Sequence, residues 1–147
     1  MTETDLVALL QEGRRRERAQ TLYYRRLTGL AEEANDPVTA ERLNALLADE
    51  QHHMSRLTAR LLEMGVRAEP VDTPPVPDVP LDAWEDDARR REQEEVGWYE
   101  EAVAMVSDAP TRTALIEILS SEKHHRDELG GKWMPASRQS PDGDEEG

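Results

Sequence analysis

Apolar residues recur at alternating spacings of three and four in four separate stretches, the period of an α-helix with one buried face. In the first, Leu6, Leu10, Gly13, Glu17, Gln20, Tyr24, Leu27 and Ala31 form the inward stripe of a helix capped by Thr2 or Thr4 and reaching about Glu33. EANDP then turns the chain, with Asp36 as N-cap and Pro37 at the first helical position. The second helix turns Leu43, Leu46, Glu50, His53, Leu57, Leu61 and Met64 inward and stops at Gly65. A third stripe, Trp84 or Glu85, Ala88, Glu92, Glu95, Tyr99, Ala102 and Val106, predicts a helix from about Leu81 or Asp82 to Val106. After the connector SDAPT, the positions Leu115, Ile118, Glu122, His125 and Leu129 predict a fourth from about Pro110 to Leu129, ended by Gly130 and Gly131.

Between the second and third helices, RAEPVDTPPVPDVPLD holds five prolines and cannot be helical. Extended at about 3.1 Å per residue it reaches roughly 50 Å, and the first two helices are roughly 40–48 Å long. The crossover, residues 66–81, can therefore run the length of a bundle and start the third helix parallel to the second. The fold class this predicts is all-α: a four-helix bundle of two antiparallel hairpins joined by a long proline-rich crossover. It occupies residues 1–134 as one domain. The remainder, 135–147, is polar and acidic without apolar periodicity and is expected to be a disordered tail.

Composition narrows the chemistry. Charged residues make up 34% of the 147 positions, aromatics 4%, and phenylalanine is absent, which suits a bundle of leucine, alanine and methionine better than a sheet protein. The absence of cysteine excludes disulfides, thiolate metal sites, iron–sulfur clusters and a rubredoxin-type module from these residues. A formal charge of −14 argues against a nucleic-acid partner, which needs a basic face. Arg14–Arg16 read as a solvated helix face. No apolar run approaches the roughly 20 residues of a membrane span, and MTETD is no signal peptide, so no membrane partner and a cytoplasmic location are expected. Met54, Met64 and Met105 read as core filler. Trp84, Trp98 and Trp133 read as packing or interface residues.

The stripes carry charges where none is normally tolerated. Glu17, Glu50, Glu92, Glu95 and Glu122 fall on inward positions near the middle of their helices, and an unpaired buried carboxylate is very costly. Like charges brought that close cannot all stay ionised unless cations sit among them. Four carboxylates balance two divalent ions, and a fifth suits a more oxidised pair. Glu50-Gln51-His52-His53 and Glu122-Lys123-His124-His125 each place a glutamate and a histidine one turn apart on one face. His52 and His124 point about 100° away and read as exposed or as supports of the site. Carboxylates and imidazoles without thiolate favour iron or manganese, with zinc possible. The halves repeat: Glu17 precedes Tyr24 by seven residues and Glu92 precedes Tyr99 by seven. The two tyrosines are either plain core aromatics or donors to the ligating carboxylates.

One glutamate from each of two helices plus Glu-x-x-His from each of the other two is the ligand set of ferritin-like di-iron bundles. Over roughly residues 3–130 the chain resembles the rubrerythrin branch of that superfamily. The resemblance implies two iron ions, bridged by Glu50 and Glu122, with Glu17 and Glu92 as terminal carboxylates and His53 and His125 as terminal imidazoles. It implies an additional third-helix glutamate, for which Glu95 is the natural counterpart, exchanging with His53 between oxidation states. Glu94 is the competitor, but it lies off the stripe set by Ala88, Tyr99 and Ala102. The implied activity is reduction of hydrogen peroxide or dioxygen, as a peroxidase or ferroxidase, with a homodimer as the expected assembly. Full-length rubrerythrins carry a rubredoxin domain that these residues lack, so electrons are expected from an external donor or from ferrous iron itself. Iron storage or delivery in a larger assembly, and a metal-stabilised scaffold without turnover, are the rival readings.

Overall fold

The computed structural model describes residues 1–129; Gly130, Gly131, Trp133 and the acidic tail lie outside the described residues. Four helices account for the fold: α1 (Glu3–Glu33), α2 (Pro37–Glu63), α3 (Trp84–Met105) and α4 (Ala109–Asp127), with a 3₁₀ turn at Leu81–Ala83 leading into α3. Thr2 caps α1 in a reciprocal box with Asp5, Asp36 caps α2 through Thr39 N–H, and Asp108 caps α4 through Thr111 N–H. Each cap satisfies a backbone donor that the first helical turn leaves free. The C-terminal ends of α1 and α2 use one device. Asp36 N–H returns to Ala31 O and Asn35 N–H to Glu32 O, while Val66 N–H returns to Leu61 O and Gly65 N–H to Leu62 O. This is the Schellman closure, which needs a left-handed residue, supplied by Asn35 at φ 56° and Gly65 at φ 76°.

Two apolar clusters fix the chain directions. Leu6, Leu10, Leu57, Leu61, Tyr99, Ala102, Val106 and Leu115 pack at one end. Tyr24, Leu27, Ala31, Leu43, Leu46, Trp84, Ala88 and Leu129 pack at the other. The start of α1 thus meets the ends of α2 and α3 and the start of α4, so α2 and α3 are parallel and each hairpin is antiparallel. The crossover runs back along α1, as its length requires. Gln11 Nε2 and Arg14 Nη1 donate to Glu69 O at 3.1 and 2.5 Å, Arg18 Nη2 donates to Thr73 Oγ1 at 3.4 Å, and Arg26 pairs with Asp78.

Two sequence readings are corrected here. The arginine run is a solvated face only at Arg15, which is exposed: Arg14 is buried, bridging α1, Thr58 of α2 and the crossover. Arg16 is half-buried, lying over the Trp98 ring and pairing with Glu95. Met105 is exposed rather than core filler, because α3 ends there and its side chain lies off the Ala102–Val106 stripe. At the start of α3 the stripe takes Trp84, which is buried, while Glu85 pairs with Arg42. Among the described residues no helix is long and apolar enough to cross a membrane.

Candidate metal centre

Between the two apolar clusters the inward stripes become acidic. Glu17, Glu50, Glu92 and Glu122 have no accessible surface, and His53 and His125 almost none. Their ligand atoms form two overlapping groups: Glu17, Glu50, His53 and Glu122 in one, and Glu50, Glu92, Glu122 and His125 in the other. Within each group the atoms all lie within 4.8 Å of one another. Glu50 and Glu122 belong to both groups, the position a shared carboxylate must hold.

Hydrogen bonding divides the carboxylates by task. Tyr99 Oη donates to Glu17 Oε2 at 2.6 Å, and Tyr24 Oη donates to Glu92 Oε2 at 2.5 Å. Gln20 Nε2 also donates to Glu92 Oε2, at 3.3 Å, and is itself held by Arg91. Glu17 and Glu92 are therefore each pinned through one oxygen, and the other oxygen, Oε1, is buried without a hydrogen-bond partner. Glu50 has both oxygens buried and unpartnered, and Glu122 has Oε2. Buried polar atoms are rarely left so. Here they converge on one spot, which is the donor arrangement a pair of cations would satisfy.

The imidazoles face the same spot. His53 Nδ1 lies 3.0 Å from Glu50 Oε1, 3.5 Å from Glu17 Oε1 and 3.7 Å from Glu122 Oε2. His125 Nδ1 lies 3.1 Å from Glu122 Oε1 and 3.8 Å from Glu92 Oε1, and its Nε2 donates to Asp49 Oδ2 at 2.8 Å. The rings stack at 6.2 Å between centroids.

The electrostatics record the crowding. Burial, then the charges of Glu122, Glu92 and Glu17, pushes the Glu50 carboxyl well above its ordinary value. Burial with Glu92 and Glu17 pushes Glu122 up to about 8. Burial would also raise Glu92, but His125, Glu122 and Tyr24 outweigh it and hold Glu92 low. Burial would lower His53, yet the carboxylates of Glu122 and Glu17 close to its Nδ1 push it up to about 10. His125 is raised likewise, against burial, by Asp49, Glu122 and Glu92. The metal-free cluster thus keeps protons that divalent cations would displace.

Six of the seven expected ligands come together. The seventh, Glu95, is buried on the same stripe but lies outside both groups, with Arg16 Nε donating to its Oε1 at 3.2 Å. Burial, only partly offset by Arg16, raises its carboxyl to about 7. Glu94 is on the surface, paired with Arg90 at 3.1 Å. His52 and His124 are exposed. Sequence reasoning missed Asp49, whose partner lies 76 residues away on another helix; no pattern within α2 signals it.

The sequence matches no family model and no curated protein. Among solved structures, the chain is similar to bacterioferritin BfrA of Mycobacterium tuberculosis, with a TM-score of 0.79. The match covers 90% of this chain and 86% of that one, at 18% sequence identity. At that identity the likeness is one of fold. The chain has the ferritin-like four-helix bundle fold of bacterioferritin, and at its centre it carries carboxylate and histidine groups that can hold metal.

Proposed function

We propose that the chain is a non-haem di-iron oxidoreductase, which binds two ferrous ions at the bundle centre and passes their electrons to hydrogen peroxide or dioxygen. The observation that carries this reading is the pair of ligand groups sharing Glu50 and Glu122, with oxygens buried and unpartnered where the two meet. A thiolate-free set of four carboxylates and two imidazoles suits iron or manganese, and its charge of −4 neutralises two ferrous ions. A bound ferrous pair supplies two electrons, which with two protons convert one peroxide to two waters.

The chain's own residues prepare that exchange. The Tyr24 and Tyr99 hydroxyls fix Glu92 and Glu17, so that each offers one oxygen inward. Glu50 and Glu122 release protons, and the imidazoles release Nδ1 protons, as cations enter. Leu57, Leu61, Leu115 and Ile118 close one end of the site and Leu43 and Leu46 the other, which limits water around the centre.

Whether the iron stays as a cofactor or passes through as substrate separates a rubrerythrin-like peroxidase from a ferroxidase serving iron storage or delivery. Glu95 bears on this. It is buried within one turn of Glu92 but held by Arg16, which leaves six inward carboxylate and imidazole side chains as candidate ligands, a set that suffices for ferroxidase chemistry. The peroxidase of the rubrerythrin branch calls for Glu95 to leave Arg16 and join the site. Anaerobic loading with two equivalents of ferrous iron, then one addition of peroxide or of air-saturated buffer, tests the proposal. Rapid oxidation with one peroxide consumed per two ferrous ions supports it. Oxidation no faster than that of free ferrous iron refutes it. A slower peroxide reaction in Glu95→Gln than in wild type favours the peroxidase, and an unchanged rate the ferroxidase.

A further inference from the structure

The internal repeat that builds the centre breaks beside the two shared glutamates. The residue before the shared glutamate is Asp49 in α2 but Ser121 in α4. Asp49 reaches across to α4, where its Oδ2 accepts from His125 Nε2 at 2.8 Å. His53 has no counterpart among the described residues: its close carboxylates, from Glu17, Glu50 and Glu122, all lie against Nδ1. We propose that Asp49 makes the two metal positions unequal, so that the Glu92–His125 position fills first and the Glu17–His53 position fills second and releases its ion more readily. The inference rests on the two-metal reading above.

A carboxylate on the distal nitrogen of a ligating imidazole keeps the proton on that nitrogen. It thereby frees the other nitrogen's lone pair, restricts ring rotation and strengthens the imidazole as a donor. The His53 ring has no such support and must find its tautomer and orientation on binding. Each ligand group holds one terminal carboxylate, one imidazole and the shared Glu50 and Glu122, so the number of ligands does not separate the two positions. Gln20 and Glu95, at matching places in the repeat, differ as well, Gln20 donating to Glu92 and Glu95 being held by Arg16; substitution at Asp49 isolates the part that Asp49 contributes. Asp49 is half-exposed, with 55% of its side chain accessible, in the wall of a cavity of about 460 Å³ that His125, Arg42, Leu46 and Leu129 also line. Water screens a pair in that setting, which places the expected effect at the low end of the roughly 10–100-fold range for such supporting partners.

Calorimetric titration of the metal-free protein with ferrous iron, under nitrogen, tests this. The wild-type protein is expected to take up two ions in two steps about tenfold apart in affinity. Asp49→Ala weakens the tight step by about that factor and merges the two, while Asp49→Asn, whose amide oxygen can accept the same hydrogen bond without the charge, falls between. Ser121→Asp puts a carboxylate at the place in the repeat that Asp49 holds in the other half, and is expected to tighten the weak step. Two indistinguishable steps in the wild type, or an unchanged tight step in Asp49→Ala, overturn the inference and leave the two-metal reading standing. Fewer than two ions bound by the wild type overturn both. Should Asp49→Ala fail to fold, Asp49→Asn decides, because an unchanged tight step there is equally fatal.

Discussion

Glu50 differs from the other three central carboxylates in having both oxygens buried and unpartnered, and no tyrosine or amide restrains it. It therefore has two donors to offer where the others offer one at most. Glu50→Ala is expected to abolish binding of both ions, while His52→Ala, altering an exposed ring one residue from His53, leaves metal content at the wild-type level. Metal analysis after loading and desalting checks both, and two retained equivalents in Glu50→Ala would show that it does not bridge. The inward placement of these carboxylates and imidazoles was legible because helical periodicity alone puts a glutamate and a histidine on one face, whatever the partner helices are. Asp49, Arg14 and Arg16 were not. Their partners are His125, Glu69 and Glu95, all remote in sequence, and a charged residue beside a stripe looks the same whether it meets water or another helix. The tyrosines stood between two readings, and only the crossed pairing of Tyr24 with Glu92 and Tyr99 with Glu17 separates them.

At the level of elements, the signals that start and stop helices were the most legible. Asp36, Pro37 and Gly65 act where the sequence placed them, because capping is local chemistry. The end of α4 is less sharp: the helix runs to Asp127 rather than Leu129, although Leu129 remains buried. Gly65 can be tested directly. A Cβ there would meet no neighbouring atom, so Gly65→Ala isolates the cost of a left-handed alanine, about 1 kcal/mol. A fall in melting temperature of about 3 °C is expected, with unchanged metal content. Melting at the wild-type temperature would mean that the α2 terminus relaxes out of its closure. The crossover shows where element-level reading stops. Its prolines dictate an extended chain and its length dictates the span, but the groove it follows is set by Gln11, Arg14, Arg18 and Arg26 on α1.

For the molecule as a whole, the central cluster sets the response to pH. In the metal-free protein Glu122 titrates near 8, against an ordinary 4.5, so the folded state keeps a proton that the unfolded chain releases, and stability falls as pH rises between those values. His53, raised to about 10 from 6.5, contributes stability that is complete below 6.5 and lost on the way to 10. The two act in the same direction. Glu92, held below its ordinary value, acts oppositely and costs stability only in acid. Chelated protein is therefore expected to melt highest near pH 5 and progressively lower at pH 7 and 9, and the gain on adding metal should widen with pH. Equal melting of loaded and chelated protein at pH 9 would mean that these carboxylates do not meet at a cation. The even division of the candidate ligands between the hairpins has a further consequence. The first hairpin supplies Glu17, Glu50 and His53, the second supplies Glu92, Glu122 and His125, and each position draws on both. A bound ion would thus rivet two half-proteins together, beside the two apolar clusters they share and the bonds the crossover makes to α1. Cut at a protease site engineered between Val71 and Val76, the loaded protein should still elute from a sizing column as one particle. The same nicked protein, stripped of metal at alkaline pH, should come apart into its hairpins.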